Sequence, residues 1–161
     1  PTSIVGEIMV KGMNVMCGYY KNETASREAL GADGWMHTGD MGVMDATGNL
    51  TIRGRCKNML LGPNGQNIYP EEIEDRMNSL PFVAESIVTQ QEGKLVALVH
   101  PDYNETMAQG LTSTDVVRIM EDNRNTLNLM IPKYSQIASV KIYPEEFEKT
   151  PKRSIKRYIY T

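Results

Sequence analysis

Nine of the thirteen glycines fall within the first 54 residues, at Gly6, Gly12, Gly18, Gly31, Gly34, Gly39, Gly42, Gly48 and Gly54. No long helix persists through that spacing, because each interior glycine costs about 1 kcal/mol relative to alanine. The stretches between them are short and lean toward strand, as in Glu7-Ile8-Met9-Val10-Lys11 and Asn49-Leu50-Thr51-Ile52-Arg53. The first third is therefore expected to be a small, irregular β-structure with many turns, one of them the hairpin turn Asp45-Ala46-Thr47-Gly48-Asn49. A single short helix is expected from Asn22, a capping residue, to Leu30, just before Gly31.

Beyond Arg55 the texture changes, which places a boundary near residues 55 to 58. Lys57 to Leu61 reads as a short strand and Gly62-Pro63-Asn64-Gly65 as a loop. Pro70 followed by Glu71 and Glu72 starts a helix, with Ile73, Met77 and Leu80 along one face. Val83 to Gln90 and Lys94 to His100 form the expected strands of a hairpin, and Leu95 to Val99 is apolar throughout, as in a strand covered on both faces. Thr112-Ser113-Thr114-Asp115 caps a helix reaching Met130, with Val116, Ile119, Met120, Asn123, Leu127 and Met130 at helical spacing. Pro132 stops it, Ser139 to Tyr143 is a further strand, and Pro144-Glu145-Glu146-Phe147 opens a polar tail rich in lysine and arginine. The fold class is α+β: a β-rich remnant, then a compact domain with a small central sheet and flanking helices.

The 161 residues give room for one domain and part of another. Lys+Arg 17 against Asp+Glu 20 leaves a net charge of −3, which excludes the broad basic field of a nucleic-acid binder. Two cysteines, Cys17 and Cys56, make neither a disulfide framework nor a metal site, so no metal is expected on this chain and a reducing, cytoplasmic compartment fits. The longest apolar run, Leu95 to Val99, is far short of the roughly 20 residues of a spanning helix. Pro1 to Ile8 lacks the charged and apolar regions of a signal peptide and lacks a methionine, so a longer parent chain is expected.

Three segments carry chemistry. Trp35-Met36-His37-Thr38-Gly39-Asp40 ends in an aspartate that is either a turn residue or a carboxylate at a strand edge, placed to accept bonds from the vicinal hydroxyls of a ribose. Gly54-Arg55-Cys56-Lys57 sets an arginine at the boundary, either solvated or bonded to ribose or phosphate. Lys149 to Arg157 holds five basic residues and no acid, as a solvated tail, a polyanion patch, or the carrier of a lysine for a buried anionic intermediate. Gly62 to Glu74 lacks the Gly-Lys-Ser/Thr ending of a phosphate loop and opens its helix with two carboxylates, so it reads as a structural loop.

Taken in order, Gly6-Glu7-Ile8-Met9-Val10-Lys11-Gly12, Gly18-Tyr19-Tyr20-Lys21-Asn22, Trp35 to Asp40, Gly54-Arg55-Cys56-Lys57, Gly65 to Glu74 and the lysine-rich end resemble the carboxyl-terminal part of acyl-CoA synthetases of the adenylate-forming superfamily, most of all long-chain fatty acid CoA ligases. The resemblance implies that residues 1–56 end a large amino-terminal adenylation domain and 57–161 form a mobile lid. It implies that Asp40 binds the ribose hydroxyls of ATP, that Arg55 assists, that Lys57 is the hinge and that the Gly65 loop lines the CoA tunnel after the lid rotates. The family ends in Gly-Lys-Ile-x-Arg or Lys-x-Lys-Arg, whereas this chain reads Lys152-Arg153-Ser154-Ile155-Lys156-Arg157. Alignment on Ser-x-Lys makes Lys156 the catalytic lysine; alignment on the closing Lys-Arg puts Ser154 there, leaving Lys152 or Lys156 to reach in from two residues away. The implied partners are a fatty acid, ATP, CoA and the chain's own amino-terminal domain, with Mg2+ held upstream and peripheral contact at the inner face of a membrane. A non-catalytic binding module of the same fold, and acyl transfer to a carrier protein, are the rival readings.

Overall fold

The computed structural model describes residues 4–160, and its contacts divide into two units, Pro1–Met59 and Leu60–Thr161. Pro1 to Ser3 of the opening segment, and Thr161, lie outside the described residues.

The first unit holds strands β1 (Gly6–Val10), β2 (Met36–Met44) and β3 (Leu50–Arg55), antiparallel in the order β1-β2-β3, with helix α1 (Glu23–Ala29) between the first two. Asn22 caps α1, its Oδ1 accepting from the Ala25 amide at 3.0 Å. The β2–β3 turn is knotted by Asp45, whose Oδ1 accepts from the amides of Thr47 and Asn49, both at 2.9 Å. The Thr47 hydroxyl and the Asn49 side chain add to these bonds and hold the Asp45 carboxyl far below the usual carboxylate range.

The second unit begins with a small hairpin, β4 (Leu60–Leu61) and β5 (Asn67–Ile68), followed by α2 (Pro70–Asn78). Strands β6 (Val83–Gln91) and β7 (Lys94–Pro101) are antiparallel, joined by a two-residue turn in which Glu92 and Gly93 both have positive φ. Helices α3 (Tyr103–Ala108) and α4 (Ser113–Met130) then carry the chain across to β8 (Ile137–Ile142), parallel to β7. In the order β6-β7-β8 the apolar strand is central, and α2 and α4 pack on the sheet. The core gathers Ile73 and Met77 of α2, Val88, Leu95, Ala97 and Val99 of the sheet, and Val116, Met120 and Leu127 of α4. A reciprocal capping box between Thr112 and Asp115 starts α4.

Four details differ from the sequence reading. Residues Cys56–Asn58 form one 3-10 turn, and only Leu60–Leu61 are strand, because the partner strand β5 is two residues long. Helix α3 is set by Asp102, whose Oδ1 accepts from the Glu105 amide at 3.0 Å. Met130 is half exposed at the helix end rather than part of the buried stripe. The tail is packed at its base and exposed at its tip, residues 151–154: Phe147 is 2% exposed, stacked on Tyr143 at 5.0 Å and edge-on to Tyr160 at 5.1 Å. Among the described residues no helix is long and apolar enough to cross a membrane, and no group of three or more His, Cys, Asp or Glu could hold a metal ion.

Candidate functional site

In the first unit the site is built on a bulge. Pairing of β1 with β2 jumps from Glu7↔Met41 to Met9↔His37, so Thr38, Gly39 and Asp40 oppose Ile8 alone. Gly39 sits at φ +72°, a conformation that side-chain-bearing residues rarely adopt. Asp40 therefore lies within the central strand of its sheet, not at an edge and not in a turn; the left-handed step at Gly39 lets the strand continue. The Thr38 hydroxyl donates to the Ile8 carbonyl at 2.7 Å and accepts from the Asp40 amide at 3.1 Å, which locks the bulge. Glu7 braces it from the other side, accepting from the Gly39 amide at 3.1 Å while its Oε2 lies 2.9 Å from His37 Nδ1. The His37 bond holds the Glu7 carboxyl below its ordinary range.

Arg55 faces Asp40 across the β2–β3 ladder. Its Nε lies 3.1 Å from Asp40 Oδ1 and its Nη1 donates to the Thr38 carbonyl at 3.1 Å. Both side chains remain partly exposed, so the pair is open to a ligand. An ionised carboxylate accepts about four hydrogen bonds, and a single arginine contact does not exhaust it. The next residue, Cys56, has its thiol pushed up by burial and by the Glu7 carboxylate, which makes it a poor nucleophile. Lys57 is exposed in the 3-10 turn that closes the first unit.

In the second unit Gly65 stands at the tip of the β4–β5 hairpin with φ +78°, its amide donating to the Gly62 carbonyl at 2.9 Å. A Cβ there would meet nothing within 4 Å, so backbone conformation alone calls for glycine. Beside this loop lies a recess of about 220 Å³ lined by Asn64, Lys94, Lys133 and Tyr134 among others.

The lysine-rich segment forms a small hairpin. Lys149 bridges Ile155, the Thr150 amide donates to the Ser154 carbonyl at 2.8 Å, and the Lys156 amide donates to the Glu148 carbonyl at 2.8 Å. Lys152 is exposed at its tip. Lys156 stands on the stem with Nζ 3.0 Å from Glu148 Oε2, an interaction that raises its pKa and keeps the ammonium charged. Asp40 and Arg55 are thus brought together in one unit, while Gly65, Lys152 and Lys156 belong to the other.

Sequence reading missed the braces. Glu7 lies in a strand-like stretch and Thr38 in the Thr-Gly-Asp segment, and neither position announces that the Thr38 hydroxyl bonds the Ile8 carbonyl and the Asp40 amide or that Glu7 takes the Gly39 amide. Glu74 was legible in hindsight: Pro70, Glu74 and Met77 follow helical spacing, and a carboxylate on that buried stripe requires a partner.

A family model described as the AMP-binding enzyme C-terminal domain matches residues 57–160. The chain belongs to that family. The long-chain-fatty-acid–CoA ligase FadD15 of Mycobacterium tuberculosis is 30% identical over 175 residues, an alignment covering 96% of this chain and 29% of that protein. The 2-succinylbenzoate–CoA ligase of Bacillus cytotoxicus is 45% identical over 86 residues, covering 53% of this chain and 18% of that one. Among solved structures, the O-succinylbenzoate coenzyme A synthetase MenE of Bacillus subtilis, in complex with AMP, superposes with a TM-score of 0.75 at 26% identity, covering 98% of this chain and 30% of that chain. This AMP-binding enzyme C-terminal domain and the residues before it thus span less than a third of the length of these relatives. The α+β architecture of small sheets and few helices is that of the family.

Proposed function

We propose that the chain is the carboxyl-terminal portion of an ATP-dependent, AMP-forming acyl-CoA ligase that activates a fatty acid. Residues 1–56 end its amino-terminal adenylation domain and 57–161 are the lid. The observation that carries this reading is the alignment with FadD15, which runs through both units rather than the lid alone. In the first half-reaction the fatty carboxylate attacks the α-phosphorus of ATP and expels pyrophosphate. In the second, the thiolate of CoA attacks the acyl carbon and AMP departs. Asp40 and Arg55 hold the ribose in both steps, Asp40 by accepting from its hydroxyls and Arg55 by fixing the Asp40 carboxylate and adding positive charge. Lys57 is the hinge, and the Gly65 loop meets the pantetheine arm of CoA in the second step. Mg2+ accompanies ATP, with ligands in the upstream domain. The setting is cytoplasmic, with peripheral contact at the membrane where fatty acids partition.

Lys156, with Lys152 as the alternative, supplies the cation between carboxylate and α-phosphate. One observation favours the second register of the tail: Arg153 has φ 62°, the left-handed backbone that suits the glycine of Gly-Lys-Ile-x-Arg when that motif is aligned on Arg157. Ser154 then stands at the lysine position, and Lys156 reaches in from two residues away.

The isolated chain is expected to form no acyl-adenylate from ATP and fatty acid, since ribose contacts alone neither align the α-phosphate nor exclude water. Pyrophosphate release by the purified chain would sink the division of labour. In the complete ligase, fatty-acid-dependent pyrophosphate release with CoA as acceptor supports the reading. Acceptance of a carrier protein in place of CoA, or absence of turnover, would replace it with one of its rivals.

Lys57→Pro is expected to abolish one half-reaction and spare the other, because proline fixes φ near −65° and a hinge needs two backbone states. Equal loss of both in a folded protein, measured as pyrophosphate release and as thiolation of supplied adenylate, would place the hinge elsewhere.

A further inference from the structure

Strand β6 is an edge of its sheet, paired on one side with β7. Its other side would leave a buried peptide group unsatisfied at Val88, which is 1% exposed. Two side chains take the place of the missing strand. Glu74 Oε1 accepts from the Val88 amide at 2.6 Å, and Arg157 Nη1 donates to the Val88 carbonyl at 3.4 Å. Glu74 Oε2 and Arg157 Nη2 bond directly to each other, closing a ring around the peptide. Only 10% of the Glu74 side chain and 17% of the Arg157 side chain are exposed.

We propose that Glu74 is a positioning residue for the lysine-bearing hairpin, which it holds through Arg157 against the β6 edge. The functional part of this inference rests on the reading of the tail as the segment that delivers a cation. Arg157 follows Lys156 directly and opens the closing 3-10 turn, Arg157–Ile159. Fixing the guanidinium therefore fixes the stem residue beside it. Two further clasps complete the mount. Lys149 Nζ lies 2.6 Å from Glu85 Oε1 on β6, and the Tyr160 hydroxyl accepts from the Glu148 amide at 2.8 Å. With the stem tied to the β6 edge at two places and cross-braced within the tail, the exposed tip at 151–154 has a defined direction. Burial pushes the Glu74 carboxyl above its ordinary range even with Arg157 beside it, and buried ion pairs are commonly matched by well-packed apolar groups. What the apolar substitute lacks is the forked geometry that seats one peptide and one chain end together.

The test is Glu74→Gln, which retains an acceptor for the Val88 amide but turns an uncharged amide toward Arg157. In this 161-residue chain, hydrogen exchange at the amides of Lys156 and Tyr160 is expected to quicken at least tenfold, with the amides of β7 unchanged. In the complete ligase, adenylation is expected to slow 10- to 100-fold while thiolation of supplied adenylate stays within twofold. Arg157→Lys, which keeps the charge without the fork, should give an intermediate effect on both. Unchanged exchange in the tail, or equal quickening in tail and β7, would overturn the positioning role. Faster tail exchange with both half-reactions unchanged would overturn its role in catalysis. If the unsubstituted ligase makes no adenylate, the ligase reading fails, and the exchange experiment still decides whether Glu74 seats the hairpin.

Discussion

Alanine at both Lys152 and Lys156 is expected to slow acyl-adenylate formation by the complete ligase by about 10²–10³, the loss seen when one preorganised donor is removed from a developing oxyanion. Thiolation of supplied adenylate should be spared if, as proposed, the lid turns the tail away by that stage. Lys156→Ala alone should account for most of the effect. Its ammonium is on the ordered stem and already held by Glu148, whereas Lys152 is on the exposed tip. The serine between them provides a sharper arm. If Ser154 stands at the lysine position, Ser154→Lys should raise the adenylation rate and rescue the double variant. A double variant that adenylates at the full rate would mean that this tail delivers no catalytic charge.

Asp40→Ala is expected to weaken nucleotide binding in both half-reactions by about 1–3 kcal/mol, roughly 5- to 150-fold, the cost of leaving a bound hydroxyl without its acceptor. The effect on folding should be far smaller. Asp40 and Arg55 form a partly exposed pair, and such pairs contribute about 0–1 kcal/mol to stability. The contrast is the diagnostic: titration calorimetry should register a large change and chemical denaturation a small one. A variant that loses stability while keeping its nucleotide affinity would make Asp40 a structural residue of the bulge.

The elements that could be read in the sequence are those whose cause is local. Asn22 caps α1, Pro70 opens α2, Thr112 and Asp115 box the start of α4, and Glu92-Gly93 turns the central hairpin; each acts within a few residues of itself. The elements that could not be read depend on distant partners. Thr38-Gly39-Asp40 resembles a turn by composition, and the flanking pairs with β1 together with the Asp40↔Arg55 pair with β3 keep it in the strand. The tail resembles a solvated basic run, yet its fixation comes from Glu74, Glu85 and the aromatic cluster around Phe147. The candidate ribose pair was legible as two residue types, while its brace was not, since Glu7 reaches the Gly39 amide and Thr38 the Ile8 carbonyl only through the distant pairing of β1 with β2.

The side-chain substitute for a strand at Val88 also sets an order of events during synthesis. Glu74 leaves the ribosome 83 residues before its partner Arg157. At about 5–20 residues per second that is an interval of about 4–17 s. Within it the β6–β7 hairpin can form as soon as Pro101 has emerged, since such hairpins close in about 1–10 μs. The outer edge of β6 then waits, with its peptide groups available to any extended chain nearby. The basic segment thus acts as a seal added after the sheet edge is made, and a chain cut before Arg157 would carry that border open.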